Sequence, residues 1–555
     1  MSDVNSEPAA PPPAAPKRSG GYALLVASGI LLSRLSGLIR NSVFAHYLGA
    51  SGAADAFNVA LRVPNFLQNL LGEGVLSASF IPVYSRLLAR GEQKAADRVA
   101  GVFVSFLALI VIAIVAIGML FTPVVVHIIA GGLDPEIMAM AVRYTRILFP
   151  GIGLLVLYAW ALGVLNAHRQ FFISYVAPVL WSAAMIATLL IFGMRLRGEP
   201  LAHALAWGTL VGCMLQFGIE IPFVLKHAKY LSFGLDRSLE AVRSIFRNLW
   251  PVVAGRGVVQ ISGYVDTFIA SLLPTGGVSI LTYAQAIYFM PISVFGMSVA
   301  AAELPQMSSE DGTEEEVNKV LRGRLDRSLR QVAFFIVPTT VAFLFIGRVL
   351  LAALFERGAF RPITTMLVWY TLVGSCIGLT VTTLSRLYSS TFYAMHDSRT
   401  PYRMAMMRVA VSATLSFLFA VPLRPLFIAA IAATGAPMPE DRRLVGVVGI
   451  TAASGVAAWI EYLLLRNRIH RRLGSGAPRG AYMLKLWIAA LLAGVLSLAA
   501  DRYLLRGMTA HVPMHKIVEA ALASGIFGIV YFLVAFFTGV PEVRATLGRF
   551  TRRRS

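Results

Sequence analysis

Stretches of 18 or more apolar residues return along the whole of this chain. A run of that kind satisfies its own backbone in a bilayer only as an α-helix. Soluble domains carry about 25% charged residues, whereas 57% of these 555 residues are hydrophobic and 14% are charged. A water-soluble fold is therefore excluded. A β-barrel would show regular alternation, which is absent. The expected fold class is an all-α polytopic membrane protein with about 14 transmembrane helices.

A membrane-length window places spans near 22–48, 56–88, 99–129, 139–166, 172–194, 201–225, 246–272, 278–306, 329–355, 364–392, 405–432, 444–465, 482–503 and 517–539. The second is too long for one straight crossing, and Pro64 supplies a reason for a break. The Pro/Ala/Gly-rich segment 1–20 reads as a disordered tail. It does not read as a cleavable signal, because Arg34 and Arg40 interrupt the first apolar run. The strongly polar connection Ser308–Arg330, acidic first and then basic, reads as a cytoplasmic amphipathic helix joining two bundles.

Arg62-Val-Pro64 with Ile81-Pro82 downstream is weakly similar to Gln285–Pro291 with Leu304-Pro305 downstream, which suggests duplication of a six-span unit. The expected organisation is an N-lobe over 21–230 (spans one to six) and a C-lobe over 231–470 (spans seven to twelve, with the connector at 308–330). Two further spans follow over 471–540, then a basic cytoplasmic tail over 541–555.

Assigning connections alternately to two sides puts roughly 30 cations on one side and roughly 10 on the other, so both termini are expected in the cytoplasm. That asymmetry accounts for most of the net charge of +21 without nucleic acid. The basic face is expected to meet anionic membrane lipids. The two cysteines, Cys213 and Cys376, fall inside apolar spans and read as buried free thiols.

Ionisable side chains at membrane depth are costly and usually face a protein interior or a wet cavity. On an ideal helix Ser33, Arg34, Gly37, Arg40 and Asn41 share one sector roughly 100° wide. Gly37 lies between the arginines, leaving a gap with no side chain, flanked by two guanidinium groups. Such a gap suits a bulky anion, since guanidinium binds phosphate oxygens in bidentate fashion. The rival reading has one arginine snorkelling and the other paired to a carboxylate.

In the second span Asp55, Asn58, Arg62, Asn65, Asn69 and Glu73 form a stripe about 80° wide if the helix is unbroken. A cavity wall and a structural network between helices both fit it. Asp266 stands apart among Gln260, Ser262, Tyr264 and Thr267, as an ion-coupling candidate or as a partner of Arg256 or Arg40. Arg386 is a further interior cation, read as structural. No phosphate loop, no H-E-x-x-H and no dinucleotide fingerprint occur, so no cofactor or metal is expected, and an ion or electrical gradient, or a sink for the product, would have to drive any transport.

At these same residues a resemblance enters. The stretch SRLSGLIRNSVFAHYLGASGAADAFNVALRVPNFLQNLLGEGVLSASFIPVYS, Ser33–Ser85, resembles the N-terminal signature of the MurJ/MviN lipid II flippase family, with further matches at Leu354–Phe360 and Phe392–Pro401. The resemblance implies a fourteen-helix member of the multidrug/oligosaccharidyl-lipid/polysaccharide exporter superfamily, with two lobes enclosing a V-shaped cavity. It implies flipping of an undecaprenyl-diphosphate-linked peptidoglycan precursor from the inner to the outer leaflet of the bacterial cytoplasmic membrane by alternating access. It implies substrate-binding roles for Arg34, Arg40, Asp55 and Glu73. With Arg62 and Asn65 from the stripe, these are the expected substrate-binding residues; cell-wall synthesis proteins are expected partners.

The chain departs from the family pattern in having Gln68 after the P-N-x-L motif, Gln285-Ala286 in place of Asp-Arg, and Asn41 in place of an acid. Sodium coupling is not carried over, because the eleventh span lacks a clear Asn/Asp counterpart. Other readings are an exporter of another lipid-linked oligosaccharide or of a drug, and a non-transporting scaffold or regulator. A cationic drug would favour acidic cavity residues, which the Arg34/Arg40 pair opposes. No clustered loop carboxylates or histidines support an enzyme.

Overall fold

The computed structural model describes residues 19–72, 76, 79–236, 239–300, 303, 307, 313–435, 437–474, 480–509, 511–512 and 514–543, and every regular element among them is helical. The long helices are α1 (Ser19–Leu48), α2 (Gly52–Leu71), α3 (Gln93–Leu120), α4 (Pro135–Ala167), α5 (Phe171–Phe192), α6 (Gly198–Gly218) and α7 (Glu240–Ser271). They continue as α8 (Gly277–Pro291), α9 (Glu314–Phe345), α10 (Pro362–Ala394), α11 (Arg399–Ala420), α12 (Gly446–Leu473), α13 (Gly480–Ala500) and α14 (His515–Phe537). Each expected span overlaps one of them, though the second, expected over 56–88, is longer than α2. Among the described residues eleven helices are long and apolar enough to cross a membrane, and α2, which carries the polar stripe, stands outside that group.

Local chemistry fixes several starts. Ser51 caps α2 by accepting the N–H of Ala54, and Pro135 and Pro362 occupy the first helical positions of α4 and α10, where a missing donor costs nothing. Thr313 and Glu316 form a capping box at the start of α9. From there α9 runs without interruption to Phe345. The expected connector is thus not a separate amphipathic helix over its described part; it is the first turns of the ninth span.

The break in the second span also differs from expectation. Pro64 lies inside an unbroken α2, and the helix stops at Leu71, where Gly72 turns extended (φ −85°, ψ −151°). Neighbouring helices re-satisfy the carbonyl a membrane proline frees. A Cβ on Gly72 would collide with the Gln68 carbonyl oxygen, so this tight stop needs glycine.

Packing assembles the helices in two groups. α1 lies on α5, α2 on α4, and both α4 and α5 on α6; α10 and α11 lie on α12, with α8 and α9 on α10 and α7 on α11. α13 and α14 pair with each other and lean on α9, where the Tyr531 hydroxyl donates to the Phe334 carbonyl at 2.7 Å. The groups meet where α2 contacts α7 and α8. Both cysteines are buried and free.

Candidate functional site

One end of the contact between the two groups is shut. Asp55, almost wholly buried at the start of α2, accepts the Gly276 N–H at 2.6 Å, the Ser279 N–H at 2.7 Å and the Ser279 hydroxyl at 2.6 Å. These donors begin α8, so the carboxylate caps a helix from the other group and meets its positive end. Asn58, one turn on, donates to the Ser279 hydroxyl at 3.1 Å.

Gly276 holds φ +96°, and a Cβ there would stand 2.8 Å from the Ala50 carbonyl oxygen; this junction admits only glycine. Around it the Tyr283 hydroxyl donates to the Gly49 carbonyl at 2.8 Å, the Ala359 N–H donates to the His46 carbonyl at 2.8 Å, and the Ser42 hydroxyl donates to the Leu354 carbonyl. The ring of Tyr283 fills the space between Phe44, Phe355 and Phe360. Polar and apolar contacts together make this end a seal.

Beyond the seal the same three helices part. Ser33, Arg34, Gly37, Arg40 and Asn41 of α1 line a cavity of about 490 Å³, completed by α4, α5 and α8. The expected gap is real: a Cβ on Gly37 would meet nothing within 4 Å. The Arg40 guanidinium lies over the Trp181 ring, 4.6 Å from its centroid, and donates to Asn41 Oδ1 at 3.1 and 3.3 Å. Stacking covers the face of the guanidinium and Asn41 takes its Nε–Nη2 edge, which leaves the Nη1 side for further hydrogen bonds. Arg34 is exposed, and among the described residues neither arginine forms an ion pair.

A second cavity of about 490 Å³ lies between α2 and the other group, lined by Arg62, Asn65, Asn69, Asp266, Arg386 and Arg408 among others. Arg62 donates to Gln285 Oε1 at 3.0 Å, a bond that joins α2 to α8. Phe289 lines both cavities and is their shared wall.

The stripe on α2 is thus divided. Asp55 sits in the closed end and lines neither cavity, Arg62 and Asn65 line the second, and Glu73 lies outside the described residues. Asp266 is not isolated: its charge neighbours are Arg408 and Arg62. Arg40, one of the partners expected for Asp266, is instead stacked in the other cavity.

Arg408 is not among the expected site residues, although it falls inside the expected span 405–432. It lies within α11, paired to Glu461 at 3.1 Å, on the cavity wall. The helix-start chemistry of Asp397, whose carboxylate accepts the Thr400 N–H and hydroxyl, was the signal that places Arg408 more than two turns into the span.

Residues 44–438 match the family model described as Lipid II flippase MurJ. The Lipid II flippase MurJ of Burkholderia cenocepacia is 31% identical over 93% of this chain and 97% of its own length. A probable lipid II flippase MurJ of Rhizobium meliloti is 30% identical over 93% of each. Among solved structures, a lipid II flippase MurJ in an inward closed conformation aligns over 93% of this chain and 98% of its own at TM-score 0.73 and 22% identity. An inward-facing multidrug transporter of the MATE family and MOP superfamily aligns over 82% of this chain and all of its own at TM-score 0.61 and 18% identity. Both share the fold.

Proposed function

The chain belongs to the lipid II flippase MurJ family, and from that premise we propose how it carries a lipid-linked peptidoglycan precursor across the bilayer. Arg34 and Arg40 hold the diphosphate across the gap at Gly37. The observation that carries this reading is a pair of guanidinium groups that, among the described residues, have no carboxylate partner and line a cavity with no acid on its wall, beside an open gap at Gly37. The half-buried Arg40 lacks a counter-charge among the described residues, and an incoming diphosphate supplies one with planar, bidentate hydrogen bonds. A cationic drug would meet five arginines across the two cavities and the single carboxylate of Asp266.

The asymmetry of closure supports alternating access. With both termini in the cytoplasm, the α1–α2 turn faces outward, the seal around Asp55 closes the outer side, and the cavities open inward to receive cargo. Release requires the Asp55–Gly276–Ser279 contacts to break while the inner side closes. The basic inner face meets anionic lipids, and cell-wall synthesis proteins take the delivered precursor. Asp266, next to Arg62 and Arg408, is the coupling group for an ion or for membrane potential.

The test is replacement. In a bacterium depleted of its own lipid II flippase, this chain restores precursor to the outer leaflet. A chain that reaches normal membrane levels and leaves all precursor on the inner leaflet overturns the reading.

A further inference from the structure

The second cavity contains a cation that the diphosphate contacts do not use. Arg62 is held by Gln285 and Arg408 by Glu461, but among the described residues Arg386 forms no ion pair, and its Nε is buried without a hydrogen-bond partner. Its charge neighbours are Arg408, another cation, and Glu461, whose carboxylate is already paired to Arg408. Two cations on one cavity wall at membrane depth thus share one carboxylate, which leaves positive charge for a further anion to balance. The lining acid, Asp266, already faces both Arg408 and Arg62.

The backbone is shaped around this group. α8 passes into a π-helical turn over Ile292–Met297, and Gly296 in that turn approaches α10 so closely that a Cβ would stand 2.6 Å from Thr383 Cγ2 and 3.7 Å from Arg386 Cδ. π-turns are rare and concentrate at functional sites. Here the turn lays bare backbone beside the Arg386 stem, while the head of the side chain remains on the cavity wall with Tyr288 and Thr382.

We propose that Arg386, with Arg408 and Arg62 beside it, is a second anion subsite, taking a carboxylate of the cargo's peptide while the α1 arginines hold the diphosphate. The inference rests on the flippase reading above and deepens it. A lipid-linked precursor has one diphosphate, and the α1 cavity accounts for it. The next cavity, across Phe289, must then meet a different acidic group, and a carboxylate matches the guanidinium fork in plane and spacing. Cargo is then held at two anionic points on opposite sides of Phe289.

The experiment measures binding of two probes to the full-length protein in lipid nanodiscs: the lipid-linked precursor with free peptide carboxylates, and the same lipid with those carboxylates amidated. Wild type should prefer the free acid about tenfold or more, the scale of one charge-assisted hydrogen bond. Arg386→Gln should bring the ratio close to one, and Arg386→Lys should keep part of it. Equal wild-type affinity for both probes overturns the subsite and leaves the flippase reading standing. An undiminished preference in Arg386→Gln does the same. Failure of wild type to bind either probe removes the flippase reading and the subsite together. If Arg386→Gln does not reach the membrane, the wild-type ratio and the Arg386→Lys ratio decide.

Discussion

Asp55 accepts two hydrogen bonds from Ser279, one from its N–H at 2.7 Å and one from its hydroxyl at 2.6 Å, so one carboxylate of α2 grips one residue of α8 twice. Loss of that grip frees the start of α8 and exposes its first N–H groups unsatisfied. Asp55→Asn should therefore loosen the closed end by roughly 2–3 kcal/mol, on the order of 30- to 150-fold in the balance between shut and open. The check is a cysteine at Ala54, wholly buried beside the seal, in a chain whose two native cysteines are serine. Its reaction with a membrane-impermeant thiol reagent should be slow while Asp55 is present and faster once Asp55→Asn is added. Equal rates would remove Asp55 from the seal.

Replacing Arg34 or Arg40 by Ala should abolish complementation of a flippase-depleted strain at near-normal membrane levels, because these side chains serve the anion and not the fold. Lysine should rescue only in part, since an ammonium has no planar fork. Full growth with both arginines replaced by Ala refutes the assignment.

Gly37→Leu is a sharper probe of the same pocket. Nothing lies within 4 Å of a Cβ there, so the substitution should leave thermal stability within about 0.5 kcal/mol, as surface changes do, yet fill the gap and cut transport at least tenfold. Normal transport by Gly37→Leu means the diphosphate lies elsewhere.

Cysteines at Arg62, Asn65 and Asn69 should react with small polar thiol reagents, whereas cysteines at Leu61 and Leu70, both packed against the core, should be protected. The reverse pattern would show that this face of α2 does not meet water.

Transport of labelled precursor by reconstituted protein should quicken under an imposed potential. One charge crossing the full field gains about 2.3 kcal/mol per 100 mV, a bias of roughly fifty-fold. Asp266→Asn should blunt that response once its folding has been verified. Unchanged wild-type transport with potential and ion gradients collapsed defeats the coupling proposal, and an unaltered Asp266→Asn response removes that residue alone.

Periodicity made part of this site legible and long-range pairing hid the rest. Ser33, Arg34, Gly37, Arg40 and Asn41 share a face by helical spacing, and all five line one cavity. The stripe on α2 was visible in the same way, but its division was not: Gly276 and Ser279 stand more than 220 residues away, and local sequence carries no trace of them. Pro64 drew attention as a breaker, while the stop came at Gly72, where the limit is a backbone approach that residue type alone does not reveal. Arg386 read as structural, yet among the described residues it forms no ion pair; its charge neighbours are Arg408 and Glu461, and Glu461 is already paired to Arg408.

α2, which carries the polar stripe, stands outside the set of helices long and apolar enough to cross a membrane. A segment with that much polarity partitions poorly into lipid by itself. α2 packs chiefly on α4, which is synthesised later. During biogenesis α2 must therefore wait at the translocon, or slip back toward water, until α4 emerges to shelter it. The residues suited to moving cargo thus make the order of membrane insertion part of the folding problem.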